Sequence, residues 1–148
     1  MTGNIRGIEC SLDNDRIEDL LLFFCNTNFD FYIQRCMKVD SKRTLLPTLS
    51  QNFRISSKDL EKLAKESIWE LVLHIYPIGS NMQAIDTYNT FMKSECLCCL
   101  IFYDCSLMDL YVKDSMLRNC LYNLLLTLDA KDMSFITDQS DGRTHLSV

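Results

Sequence analysis

The chain has 148 residues, a formal net charge of −5, 47% hydrophobic and 24% charged residues, and only 4 Gly and 2 Pro. That length suits one domain with one core, and the composition argues against disorder, collagen-like structure and a turn-rich β-sandwich. The acidic balance argues against nucleic acid as the main partner, because the overall field repels phosphate.

No apolar run approaches the roughly 20 residues that span a bilayer. The N-terminal MTGNIRGIECSLDNDR has no signal-peptide core. The 8 cysteines sit in a chain too long and too poor in loops for a disulfide scaffold. They read as free thiols of an intracellular protein, cytoplasmic or nuclear, without membrane insertion.

Along the chain, Asn14 or Asp15 is placed to cap a helix through Ile17, Leu20, Leu21 and Phe24. Asn28 is placed to cap another through Phe29, Tyr32, Ile33 and Cys36, and the two make a helical hairpin over residues 1–40. Residues 41–55, polar at first and interrupted by Pro47, read as a loop. Ser56 with Asp59 forms a capping-box-like start, and Leu60, Leu63, Ala64, Ile68, Leu71, Val72 and Ile75 recur at the spacing of one helix face until Pro77 and Gly79 stop it.

Ser80 with Gln83 repeats the capping pattern ahead of Met82, Ile85, Tyr88, Met92 and Cys96, leading into LCCLIFY. That run also fits a central strand, but no turn signals bound it, and helix is preferred. Ser106 with Asp109 opens a further segment, and Asp114 caps a last helix whose face holds Leu117, Cys120, Leu121, Leu124, Leu125 and Leu128. Residues 56–129 are thus the main helical core, and residues 130–148, without apolar periodicity, a weakly ordered end.

The fold expected is all-α: one domain over residues 1–148, packed as a bundle of about five to seven helices. Candidate hairpins start near Ser11, Ser56 and Ser106, and this separation of roughly 45 to 50 residues also fits a short HEAT/armadillo-like array. The domain fits a piece excised from a longer protein as well.

Cys96 and Cys99 stand in a C-x-x-C relation with Cys105 close behind, and zinc favours four such soft ligands. No second C-x-x-C exists and the neighbours are Leu, Ile, Phe and Tyr, so the thiols read as core residues, with Cys96, Cys99 and Cys120 on inward faces. His74 and His145 are the only histidines, which leaves little material for general base catalysis. Glycines at 3, 7, 79 and 142 make no phosphate-cradling loop, and no G-x-S-x-G elbow marks a nucleophile, so no cofactor is expected.

Lys58, Lys62 and Lys65 alternate with acids on a solvated, mixed-charge face. Trp69, Phe29, Phe31 and Tyr32 are the candidate interaction residues, since aromatic side chains anchor interfaces. The function expected is a non-enzymatic protein–protein interaction module, or an assembly scaffold of a multisubunit intracellular complex. The alternatives are a small enzyme pairing a Cys or Ser nucleophile with His74, and a virus-encoded Bcl-2-like helical antagonist of host signalling, which would have similar length and composition.

Overall fold

The longest apolar runs fold as strands. A computed structural model describes residues 4–39, 45–47 and 53–147. Within them lie β1 (Ile5–Ser11), α1 (Ile17–Cys25), β2 (Phe29–Val39), β3 (Leu45–Pro47), β4 (Phe53–Ile55), α2 (Ser57–Ala64) and β5 (Ile68–Pro77). They are followed by α3 (Tyr88–Lys93), β6 (Cys98–Tyr103), β7 (Leu107–Val112), α4 (Ser115–Thr127) and β8 (Lys131–Thr137). The strands form one sheet in the order β3-β2-β5-β6-β7-β1-β8, with β4 also pairing β2, and every pairing is antiparallel.

The all-α expectation is therefore wrong, and with it the bundle, the HEAT/armadillo-like array and the Bcl-2-like alternative. The reason lies in the central strands, which are covered on both faces. In β5, Leu71, Leu73 and Ile75 turn one way while Val72 and Tyr76 turn the other, and all are buried. A strand covered on both faces shows no polar alternation, and in a run apolar at almost every position the spacing of a helix face is met by default. The same holds for β6, whose Cys98, Leu100 and Phe102 face one cluster while Cys99 and Ile101 face the other.

Capping chemistry, by contrast, marks real helix starts at two of the expected places. Ser56 Oγ accepts the Asp59 amide at 3.1 Å, but the helix it begins ends at Ala64, short of Tyr76. Asp114 accepts the Leu117 amide at 2.7 Å and starts α4, where Leu121 and Leu125 are buried although Cys120 is exposed. Ile17, Leu20, Leu21 and Phe24 do line one buried face of α1, while the Asn14 side chain donates instead to the Ile68 carbonyl. The other pairs mislead: Asn28 precedes β2, Asp109 sits inside β7, and Ser80 to Asp86 is irregular before α3.

Of the expected loop at 41–55, β3 and β4 lie on the flank of β2, and its remaining residues apart from Ile55 and Arg54 fall outside the described ones or have only their backbone described. In the segment expected as a weakly ordered end, β8 pairs with β1 and Leu146 is buried. One face of the sheet packs on α1, α2 and α4 through a cluster including Leu20, Leu60, Leu100, Leu110 and Leu121. The opposite face lies under α3 with its flanking chain and under residues 138–147, through Ile85, Phe91, Cys96, Tyr111, Ile136 and Leu146. Gly7 permits the tight β1–β7 approach, since a Cβ there would strike the Leu110 carbonyl.

Candidate functional site

The two-residue period of β1 and β7 sends Ile8, Cys10, Met108 and Leu110 to the helix-covered face and leaves Glu9 and Asp109 on the other. These two carboxylates stand directly opposite each other across the β1–β7 pair. Like charges so placed repel, and each is given a partner. Ser134 on β8 donates to Glu9 Oε1 at 2.8 Å, and Arg143 Nε donates to Asp109 Oδ2 at 2.8 Å.

Arg143 arrives from the C-terminal segment, which crosses this face and is tied down along its length. The guanidinium carbon of Arg143 stands 5.1 Å from the Tyr103 ring centre, and Nη1 donates to the Ser147 carbonyl at 2.6 Å. Asp141 accepts from the Tyr111 hydroxyl at 3.0 Å, from the Arg143 amide at 3.1 Å and from Arg6 Nη1 at 3.2 Å. Arg6 in turn lies 4.1 Å over the Tyr88 ring. The Leu146 amide donates to the Asp86 carbonyl at 2.8 Å.

Beside Arg143 two shallow recesses open, of about 200 Å³ and about 180 Å³, and they share Glu9, Tyr103 and Asp109. Asp132 closes the first and Tyr111 the second. Burial pushes the Asp109 carboxyl up, with Glu9 and Asp141 adding to it and Arg143 opposing. Burial works against the charge of Arg143, but the bond and attraction to Asp109 outweigh it and hold its pKa above the ordinary value. Burial and the Asp141 carboxylate push the Tyr111 hydroxyl far up, so it acts as a donor. A carboxylate beside an aromatic face is a receptor for a guanidinium or ammonium group.

The cysteines are elsewhere. Cys96 and Cys99 lie in one buried cluster at the start of β6, whereas Cys105 sits beyond its other end, half-buried on the turn to β7 with a left-handed φ of 63°. The three are not brought together. Burial pushes the Cys96 thiol up to about 12 and those of Cys98 and Cys99 well above the ordinary value, so the reactive thiolate is suppressed. Among the described residues no group of three or more His, Cys, Asp or Glu is arranged to hold a metal ion.

His74 does lie opposite a cysteine, Cys99, across the β5–β6 pair. Both are buried, and burial lowers the imidazole pKa to about 4. The His74 ring stacks on Tyr32 with centroids 5.7 Å apart, and neither of its nitrogens has a hydrogen-bond partner among the described residues. Of the aromatic candidates, Phe31 is fully buried toward the helices, while Tyr32, the next residue on the strand, turns to the opposite face with Val72 and Tyr76. Phe29 packs half-buried near Phe24 and Trp69 is half-buried on β5. Phe31 and Tyr32 thus share no surface.

Sequence reasoning missed Glu9, Tyr103, Asp109 and Arg143. The signal available for two of them was a single acid inside an alternating apolar frame, in GIECSL and LMDLYV. Nothing local singles out Arg143.

Residues 5–147 match the profile of a family described as "Protein of unknown function (DUF2691)". The chain belongs to this family. It is similar to "Uncharacterized protein YncE" of Bacillus subtilis (strain 168), with 36% identity over 76 residues, 51% of this chain and 50% of the relative. The chain therefore spans about half the length of the curated relative it matches. No solved structure matches. Among the described residues no helix is long and apolar enough to cross a membrane.

Proposed function

We propose that this family member is a non-enzymatic interaction module of an intracellular assembly, which holds a partner protein at the recess formed by Glu9, Tyr103 and Asp109. The observation that carries the reading is the juxtaposition of two cross-strand carboxylates and an aromatic ring in one open recess on rigid central strands. Groups of that kind grip basic side chains with little reorganisation, and rigid strands place them well. The interior position of His74 and Cys99, one imidazole held neutral and one thiol held protonated, supports recognition over nucleophilic catalysis. The 8 cysteines are all free, which fits a reducing compartment.

Affinity capture with the tagged chain in a lysate of its source organism tests the reading, with the Glu9→Ala/Tyr103→Ala double variant as control. A stoichiometric partner held by the wild type and lost by the folded double variant is expected. A partner held equally by both removes the recess from the reading. No partner, together with a turnover abolished by His74→Gln or Cys99→Ser, would favour an enzyme.

A further inference from the structure

The recess is already occupied in part by a group of the chain itself. Arg143 places its guanidinium against Tyr103 and Asp109, which is how an arginine from another protein would be received. We infer that Arg143 is a built-in competitor, and that the site beneath it takes an arginine side chain of the partner once Arg143 swings away. The inference rests on the interaction reading and adds its ligand and its control.

The geometry of Arg143 makes it a displaceable occupant. It gives Asp109 one hydrogen bond, through Nε, while Nη1 turns away to the Ser147 carbonyl. A guanidinium forms its strongest carboxylate contact as a fork, with two parallel bonds. An incoming arginine approaching along the open side, past exposed Glu9 and Asp132, has both forks of its guanidinium available. Glu9 then supplies a second negative charge on the partner strand.

The segment that bears Arg143 does not depend on this contact. Asp141 is tied separately by Tyr111 and Arg6, and Leu146 is buried with its amide bonded to Asp86. The Arg143 side chain is 20% exposed and its Asp109 partner 12%, so the guanidinium covers the site, and its departure uncovers the Tyr103 ring and the Asp109 carboxylate for an incoming group. The fold around the site remains while the guanidinium leaves.

The test is a titration of the isotope-labelled chain with N-acetyl-arginine methylamide, followed by the amide resonances of Tyr103, Asp109 and Tyr111. Arg143→Ala is expected to bind the probe at least tenfold tighter than wild type, and Arg143→Gln to behave alike. Asp109→Asn in the Arg143→Ala background is expected to lose that binding, and the citrulline analogue to show none. Equal affinity of wild type and Arg143→Ala, or binding indifferent to Asp109→Asn, would overturn the inference. Loss of native circular dichroism in both Arg143 variants would also overturn it, showing the contact to be a structural brace. A partner captured equally well by wild type and Arg143→Ala sinks the competitor while the interaction reading stands.

Discussion

The two faces of the sheet are built on opposite principles. Under α1, α2 and α4 the cover is mainly apolar contact, with Leu, Ile and Phe from three helices closing over Phe31, Leu73, Leu100 and Leu110. The other face is closed by chain with little regular structure, and its hold is a mixture of apolar plugs, such as Phe91 and Leu146, and charged contacts around Asp109 and Asp141. Apolar packing is indifferent to pH and is not screened by salt, whereas ionic closure is sensitive to both. Stability should therefore reside on the helix face, and responsiveness on the other.

The strongest way to break this comparison is to hollow out the helix face. Phe102 is fully buried there, and Phe102→Ala should cost about 3–5 kcal/mol in chemical denaturation, as a large aromatic deletion does. If Phe102→Ala cost no more than removing a charged contact on the other face, the division of labour would be wrong.

Next comes acid. The unfolded chain binds a proton at His74 below its ordinary value of 6.5, the folded chain only below about 4. Between those values the unfolded state holds more protons, so stability falls as pH drops from 6.5 toward 4 and is unaffected above that window. The size of the loss is about 3 kcal/mol if the whole shift is expressed. His74→Leu should flatten the denaturation-midpoint profile across that window, and an unchanged profile would show that the acid response arises elsewhere.

Smaller effects sharpen the picture at the seam between β1 and β7. Gly7→Ala drives a Cβ into the Leu110 carbonyl and should cost about 1–3 kcal/mol, in the manner of overpacking, read as a lowered melting temperature. Asp114→Ala removes the cap of α4 and should cost about 1 kcal/mol. Exchange protection lost only in α4, with that of residues 138–147 unchanged, would confirm that the two covers are independent.

What was legible in the sequence follows the same divide. Helix caps are local, a hydroxyl or carboxylate three residues from the amide it accepts, and Ser56 and Asp114 could be read directly. Strand identity in β5 and β6 depends on both faces being covered, which is a property of distant segments, so the runs carried no local mark of their period. β2 was readable in principle, because Phe29, Phe31 and Ile33 alternate with Asp30 and Tyr32, and the helical spacing of Phe29, Tyr32 and Cys36 was preferred over it. The site was illegible for a geometric reason: Glu9 and Asp109 become neighbours only through strand pairing, and Arg143 joins them across 34 residues from Asp109.

The position of β1 also bears on how the chain is made. Among the described residues it pairs with β7 and β8, and the bond from Ser134 to Glu9 spans 125 positions, so β1 is synthesised well before either of its partners. On a ribosome, β2, β5 and β6 can assemble while β1 waits and β6 keeps one flank unpaired. Long-range pairing of this kind slows folding, and an open strand flank recruits other chains. A nascent chain stalled before Leu107 should therefore be the species that aggregates, and one extended past Thr137 the first that is soluble.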